Sequence, residues 1–166
     1  MRNLVALPVI LLAVILQTSI VSRVYLLSGI ADLPLVMLAA WALQEDVETA
    51  WHWAMATGLL VGFVSALPLL APVLGYFAVV GIAQILQGRV WQAPLLAMFS
   101  VTFLGTIIAS IISFAFLRLS DVSLPVGDVL GVLILPSVLL NMLLAIPVYA
   151  VMRDLARWIY PSLEVE

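Results

Sequence analysis

The residues that could carry chemistry are few, and the densest group of them stands in QEDVETAWHW, residues 44–53. Glu45, Asp46 and Glu48 precede His52, the only histidine of the chain. On a helix Glu48 and His52 would share a face, because residues four apart are neighbours there, and histidine with carboxylates is a common set of metal ligands. The alternative is a solvated loop whose acids favour the positive end of the next helix. We favour the loop and expect no metal site, because no second histidine exists.

Hydroxyl side chains form a second group. Thr102, Thr106 and Ser110 recur every four residues and would therefore lie on one stripe of a helix. Such a stripe can line a path for a polar substrate, or its hydroxyls can bond to their own carbonyls and to neighbouring helices. We favour interhelical packing.

Asn141 is an amide inside the apolar run LPSVLLNMLLAIP, residues 135–147. An amide in an apolar environment costs free energy unless a partner satisfies it. Ser137 stands one turn away on the same helical face, and Pro136 and Pro147 shape the helix on either side. We predict an interhelical hydrogen bond from the amide. Such bonds average about 0.6 kcal/mol, so Asn141→Leu is expected to destabilise the bundle only mildly.

A ridge of small residues is the third pattern, made by Ala54, Gly58, Gly62 and Ala66 at intervals of four. Lipid gives helices no hydrophobic reason to associate, so close approach of backbones supplies much of the attraction between them. The ridge can pack against the chain's own helices, or it can bind a second copy or a partner helix. We favour packing within the chain.

Composition decides the class of protein in which these residues must work. Hydrophobic residues are 66% and charged residues 9% of the 166-residue chain, whereas soluble domains have about 25% charged residues. This predicts an integral membrane protein with a single multi-pass domain, residues 1–166. The net charge of −3 argues against binding to nucleic acid, which needs a basic surface. No nucleotide or metalloprotease motif and no activated nucleophile is present, so we expect neither an enzyme nor a cofactor.

Apolar segments of near-membrane length divide the chain. A spanning helix needs about 20 mostly apolar residues. The second segment is short, starts near Pro34, and would barely cross the bilayer or be partly re-entrant. The sequence therefore predicts a compact all-α bundle of about six transmembrane helices. The predicted segments are 4–22, 30–44, 51–70, 73–88, 92–117 and 128–153.

The charged residues are expected at the ends of these helices. Asp32 and Asp128 stand at predicted helix starts, where N-capping accounts for them. No ionisable side chain is expected deep in the membrane, where proton pumps and ion exchangers usually need one. Six spans place both termini on one side, and the excess of arginine predicts that this side is cytoplasmic. The arginines on that side are Arg2, Arg89, Arg153 and Arg157.

The order of these features resembles the MreD family, the rod shape-determining membrane proteins of bacteria. The first helix ends in LQTSIVSRVYLLSG, similar to the family's Leu-Gln-(Ser/Thr)-(Ser/Thr). IADLPLVMLAAWAL resembles its Pro-Asp-Leu and leucine-rich helix, with the proline displaced to Pro34. GLLVGFVSAL resembles its glycine-rich third helix, although Ser65 or Ala66 stands where the family often has an aspartate.

The second half of the chain continues the resemblance. LGYFAVVGIAQILQGRVW is similar to the family's fourth helix and its basic exit. The last helix resembles the family's proline, asparagine, proline and tyrosine pattern. Those positions are Pro136, Asn141, Pro147 and Tyr149.

The resemblance implies a non-enzymatic scaffold in the bacterial plasma (inner) membrane. MreD-like proteins partner the single-pass MreC in the elongation machinery, or elongasome, that inserts peptidoglycan and sets cell shape. That machinery includes a RodA-type glycosyltransferase, a class B penicillin-binding transpeptidase and MreB, which the chain would reach directly or through MreC. The surrounding membrane lipids are the remaining contacts expected.

Two other functions stay open at the level of sequence. The family resembles the substrate-binding subunits of energy-coupling-factor vitamin transporters in helix count and topology, which makes such a subunit the main alternative. A lipid-modifying membrane enzyme is the third class, and it would have to use the loop between Glu45 and His52.

Overall fold

The computed structural model describes residues 5–45, 47–87, 93–121, 127 and 129–160. The predictions made above for Arg2, Asp46, Arg89 and Asp128 concern residues outside this part. The described chain is helical apart from one short hairpin, which confirms the all-α class. In chain order the elements are α1 (Ala6–Ser19), a 3-10 turn (Val21–Arg23), β1 (Tyr25–Leu26), β2 (Gly29–Ile30), α2 (Leu33–Ala42), α3 (Ala50–Val64), α4 (Leu70–Gln87), α5 (Pro94–Leu119), a π-helical segment (Val129–Ile134) and α6 (Leu135–Ile159).

Helix length and apolar character mark the chain as a membrane protein. Within the described residues, four helical stretches are long and apolar enough to cross a bilayer. They are Ala6–Arg23, Leu70–Gln87, Pro94–Leu119 and Val129–Ile159. α2 and α3 are apolar but shorter, with 10 and 15 residues.

α2 is the centre of the bundle. Every residue from Pro34 to Ala42 is buried, as expected for a helix that is hydrophobic all round. The helix packs against α1, α4, α5 and α6. At about 1.5 Å per residue it is roughly 15 Å long, which is about half the hydrocarbon thickness of a bilayer. The predicted helix 30–44 was too long, because Gly29 and Ile30 pair instead in the β1–β2 hairpin.

Both ends of α2 are fixed by side chains. At its start Asp32 is the N-cap and Pro34 occupies the first turn, as the sequence predicted. At its end Trp41 stacks on Trp53 of α3, with ring centroids 4.4 Å apart. α2 is therefore held between a polar start and an aromatic end.

The turn between α3 and α4 differs from its prediction. α3 ends at Val64 rather than at residue 70, and α4 begins at Leu70. Of the two prolines near this turn, Pro68 precedes α4, whereas Pro72 lies inside it. Pro72 is in the first turn of α4, where a missing N–H costs little because no helical acceptor would bond to it.

The last helix is longer than predicted. α6 continues to Ile159 and contains Pro147 in its interior. Arg157 therefore lies on a helix rather than in the loop expected beyond residue 153.

Candidate functional site

Polar side chains from four helices converge on Asp32 at the start of α2. Oδ1 of Asp32 accepts the backbone N–H of Leu35 at 2.9 Å, which is the N-cap bond. The Tyr76 hydroxyl of α4 donates to the same carboxyl group, 3.1 Å from Oδ1 and 3.2 Å from Oδ2. Asp32 therefore caps one helix and binds another. We call the assembly the polar cluster; its members are Gln17, Asp32, Tyr76, Thr106, Ser137 and Asn141.

Asn141 joins three helices in this cluster. The backbone N–H of Asp32 donates to Asn141 Oδ1 at 2.6 Å. Asn141 Nδ2 donates to Thr106 Oγ1 of α5 at 2.9 Å, and the Thr106 hydroxyl donates in turn to the carbonyl of Thr102 at 2.7 Å. The asparagine is fully buried, so both bonds form away from solvent.

Gln17 binds the same backbone from the side of α1. Its Nε2 donates to the carbonyl of Ala31 at 2.8 Å, and its Oε1 accepts the N–H of Leu33 at 2.8 Å. On α6, Ser137 Oγ accepts the N–H of Ile30 at 3.1 Å. An extended segment inside a membrane bundle must find partners for its backbone, and these side chains supply them to residues 30–33.

The hairpin before this segment docks on the π-helical segment and the start of α6. Pro136 has no N–H, so the carbonyl of Val132 lacks its α-helical donor. Ser28 N–H donates to that carbonyl at 3.1 Å. A Cβ on Gly29 would lie 2.6 Å from the nitrogen of Ser137 and 2.7 Å from Cβ of Pro136. Only glycine permits so close an approach.

Asp32 therefore does more than cap a helix at the end of a span, as the sequence suggested. Its partners through Asn141 include Thr106, which stands near the midpoint of α5 (Pro94–Leu119). Its carboxyl group also binds Tyr76 of α4, so N-capping alone does not account for it. A helix start signals the edge of a bilayer only when the helix spans it, and α2 is too short to do so.

Two cavities meet at Asp32. One, of about 280 Å³, lies between α5 and the π-helical segment, with Asp32 and Asn141 among its lining residues. The other, of about 360 Å³, lies among α1, α3 and α4 and is lined by Gln17, Asp32 and Tyr76 together with apolar side chains. Asp32 is therefore a lining residue of both cavities.

The small-residue ridge is divided between buried and exposed positions. Ala54 and Gly58 are buried. Gly58 faces Val73 of α4, and Gly62 faces Leu69 just before α4 begins. Ala66 lies beyond the end of α3 and is exposed, so the predicted ridge has three helical members rather than four. The glycines serve the contact between α3 and α4.

The remaining predicted site residues lie in α5 and α6. Thr102 is buried, and its Oγ1 has no hydrogen-bond partner among the described atoms. Pro136 occupies the first turn of α6, and Pro147 lies inside that helix. Thr106, Ser137 and Asn141 come together in the polar cluster, which Thr102 adjoins through its carbonyl.

The loop between Glu45 and His52 carries no assembled site. Glu45, Glu48 and His52 are all exposed. Within the described residues no three His, Cys, Asp or Glu side chains are grouped so that they could hold a metal ion.

Three participants were missed from sequence. Tyr76, Gly29 and Gln17 were not singled out as site residues. Gln17 binds Ala31, 14 residues away, and Tyr76 binds Asp32, 44 residues away, so no local spacing could reveal them. The one local feature that could have drawn attention to Gln17 is its place beside Thr18 in the LQTS stretch.

No protein-family model, no curated protein and no solved structure matches the chain.

Proposed function

We propose that this chain is a non-enzymatic membrane scaffold of the bacterial elongation complex, which binds the transmembrane helix of an MreC-like partner. In this role it has six membrane-embedded helices, lies in the plasma membrane with both termini in the cytoplasm, and positions its partner relative to a RodA-type glycosyltransferase and a class B transpeptidase. MreB lies on the cytoplasmic side of the same assembly.

One observation carries the proposal. Three of the stretches that carry the MreD resemblance, LQTS, ADLP and PSVLLNMLLAIP, meet in the polar cluster through Gln17, Asp32 and Asn141. Motifs separated by more than 100 residues in sequence thus form a single hydrogen-bonded unit. That unit holds the backbone of residues 30–33 and the start of α2 in place, as expected for a rigid scaffold.

The partner helix needs a surface that the bundle does not use itself. Gly58 and Gly62 are covered by α4 and its approach, so the ridge is not that surface. A groove between α1 and α3 remains open, with a volume of about 200 Å³ and apolar walls that include Ile10, Ala56 and Leu60. We assign the partner helix to this groove, because small and aliphatic side chains let helices approach closely in lipid.

Co-purification in detergent tests the proposal. The chain is co-expressed with a tagged MreC-like protein, and a known MreD serves as positive control under identical conditions. A stable complex is expected, and it should be lost in Ala56→Trp, which fills the groove. Ala115→Trp, at an exposed position of α5, is the matched control and should retain it.

Failure of the wild-type chain to co-purify, while the known MreD does, would refute the scaffold. Recovery of a stoichiometric vitamin with the purified chain, together with association with an energy-coupling ATPase pair, would favour the transporter subunit instead. Equal loss of the complex in both tryptophan variants would remove the groove from the proposal but leave the scaffold.

A further inference from the structure

The cavity between α5 and the π-helical segment has a mixed polar and apolar wall. Its polar lining residues include Asp32, Asn141 and, on α5, Ser110 and Ser113, and Phe114 is among the apolar ones. Its volume of about 280 Å³ is close to the lower limit of roughly 300 Å³ for small-molecule sites. Water occupies about 30 Å³ per molecule in the liquid, so the space is far larger than a single bridging water needs.

The Asp32 carboxyl group can accept further hydrogen bonds. An ionised carboxylate offers about four acceptor positions, and this one accepts from the Leu35 N–H and the Tyr76 hydroxyl. Asn141 already accepts from Asp32 N–H and donates to Thr106. Asp32 is therefore the group with acceptor capacity to spare.

Charge on the wall selects the ligand. Among the described residues that line this cavity, Asp32 is the only charged one. An anionic ligand would be repelled by the Asp32 carboxylate. A cationic ligand with N–H donors would instead form a charge-assisted hydrogen bond to it. The serine hydroxyls can accept its remaining donors, and the apolar wall suits a hydrocarbon body.

α2 bounds the cavity on one side. Leu35 of this helix lines the cavity and is 1% exposed, and the rest of the helix is buried. Entry from the side of α2 is therefore blocked, which leaves the sides formed by α5 and the π-helical segment. A ligand would enter with its polar end first to reach Asp32.

We propose that this cavity is a binding site for a small amphipathic amine, whose ammonium group donates to the Asp32 carboxylate while its apolar body lies along the Phe114 side. The site requires only the chain itself and is independent of any partner in an elongation complex.

Native mass spectrometry of the purified chain in detergent tests this site. The probes are n-hexylamine, n-hexanol and n-hexanoate, which share one hydrocarbon body and differ in the polar end. A one-to-one adduct is expected for hexylamine, with an apparent affinity about ten-fold above that for hexanol, because charge-assisted hydrogen bonds are roughly twice as strong as neutral ones. Hexanoate should bind most weakly.

Two variants separate the site from nonspecific association. Asp32→Asn keeps an acceptor for the N-cap and for Tyr76 but removes the charge, so the preference for hexylamine should fall by about ten-fold. Ser113→Leu fills the cavity and should abolish the adduct, whereas Ser100→Leu, a serine of α5 that does not line this cavity, should leave it unchanged. Circular dichroism confirms that each variant is folded.

Three results would overturn the proposal. They are the absence of a hexylamine adduct with the wild-type chain, equal binding of all three probes, and unchanged hexylamine preference in folded Asp32→Asn. Binding that Ser113→Leu and Ser100→Leu reduce equally would place the amine elsewhere and would also refute this site.

Discussion

The start of α2 and the contact between α3 and α4 hold helices together by opposite means. At the start of α2, Asp32 and Asn141 are linked by hydrogen bonds to four helices. Between α3 and α4, Gly58 lets the backbone of Val73 come close. The side-chain bond across that second contact, from Trp51 to Gln84, lies at an exposed position.

The difference follows from what each backbone needs. α3 and α4 satisfy their own N–H and C=O groups, so their contact requires only close packing. Residues 30–33 are not helical and lie inside the bundle, so each polar backbone group there needs a partner from elsewhere. In these two regions, side chains supply hydrogen bonds where the backbone leaves its helix, and close packing joins the two helices where it does not.

The largest effect is expected at the carboxyl group. Asp32→Ala removes an N-cap, worth about 1 kcal/mol, and leaves the buried Tyr76 hydroxyl without its acceptor, at a cost of about 1–3 kcal/mol. The free energy of unfolding should fall by about 3 kcal/mol in total. Reversible unfolding in mixed micelles measures it.

Asp32→Asn is the matched control, because its amide oxygen can still accept from Leu35 and Tyr76. It should cost less than about 1 kcal/mol. A loss as large as that of the alanine variant would mean that the charge, and not the hydrogen bonds, holds α2.

The amide of Asn141 should matter next. The sequence led us to expect a mild effect, but Asn141→Leu leaves the buried N–H of Asp32 without an acceptor, which costs about 1–3 kcal/mol. We now expect a loss of about 2 kcal/mol. Gln84→Leu removes an exposed amide bond to Trp51 and should cost under about 1 kcal/mol. Equal losses in the two variants would erase the contrast between the two regions.

Gly29→Ala probes the docking of the hairpin on α6. Its new Cβ would meet backbone atoms of Ser137 and Leu133 at 2.6 and 2.8 Å, so overpacking of about 1–3 kcal/mol is expected. Gly131→Ala is the control, since nothing lies within 4 Å of its Cβ position. A thermal unfolding midpoint of Gly29→Ala that matches that of Gly131→Ala would show that the hairpin is not docked.

Gly58→Ala probes the other region and should have a smaller effect. Its Cβ would approach Cα of Val73 at 2.7 Å, which is a single contact under 3.0 Å, whereas a Cβ at Gly29 would make three, at 2.6, 2.7 and 2.8 Å. We expect a loss of about 1 kcal/mol. Gly81→Ala in α4, with only an ordinary contact at 3.6 Å, should be nearly neutral. If Gly58→Ala lowered the free energy of unfolding more than Gly29→Ala does, the contact between α3 and α4 would be the more tightly packed of the two regions.

The same contrast explains what the sequence could reveal. Gly58 and Gly62 repeat at helical spacing, and Pro34 and Asp32 signal a helix start locally, so these features were predictable. The meeting of Asp32 with Tyr76 and Asn141 was not, since it depends on how distant helices assemble. The second apolar segment was also predicted too long, at 30–44 instead of the 10 residues of α2, because hydropathy reports burial and not the length of a helix.

Hydrogen exchange of individual backbone amides, followed by NMR in detergent, tests most directly whether the start of α2 is held inside the bundle. The N–H groups of Ile30 and Asp32 should exchange as slowly as that of Val36 in the centre of the helix, since protection reports local opening. In Asn141→Leu, Asp32 should become faster while Val36 is less affected. Exchange of Ile30 and Asp32 in the wild-type chain as fast as that of the exposed turn residue Leu27 would contradict the account.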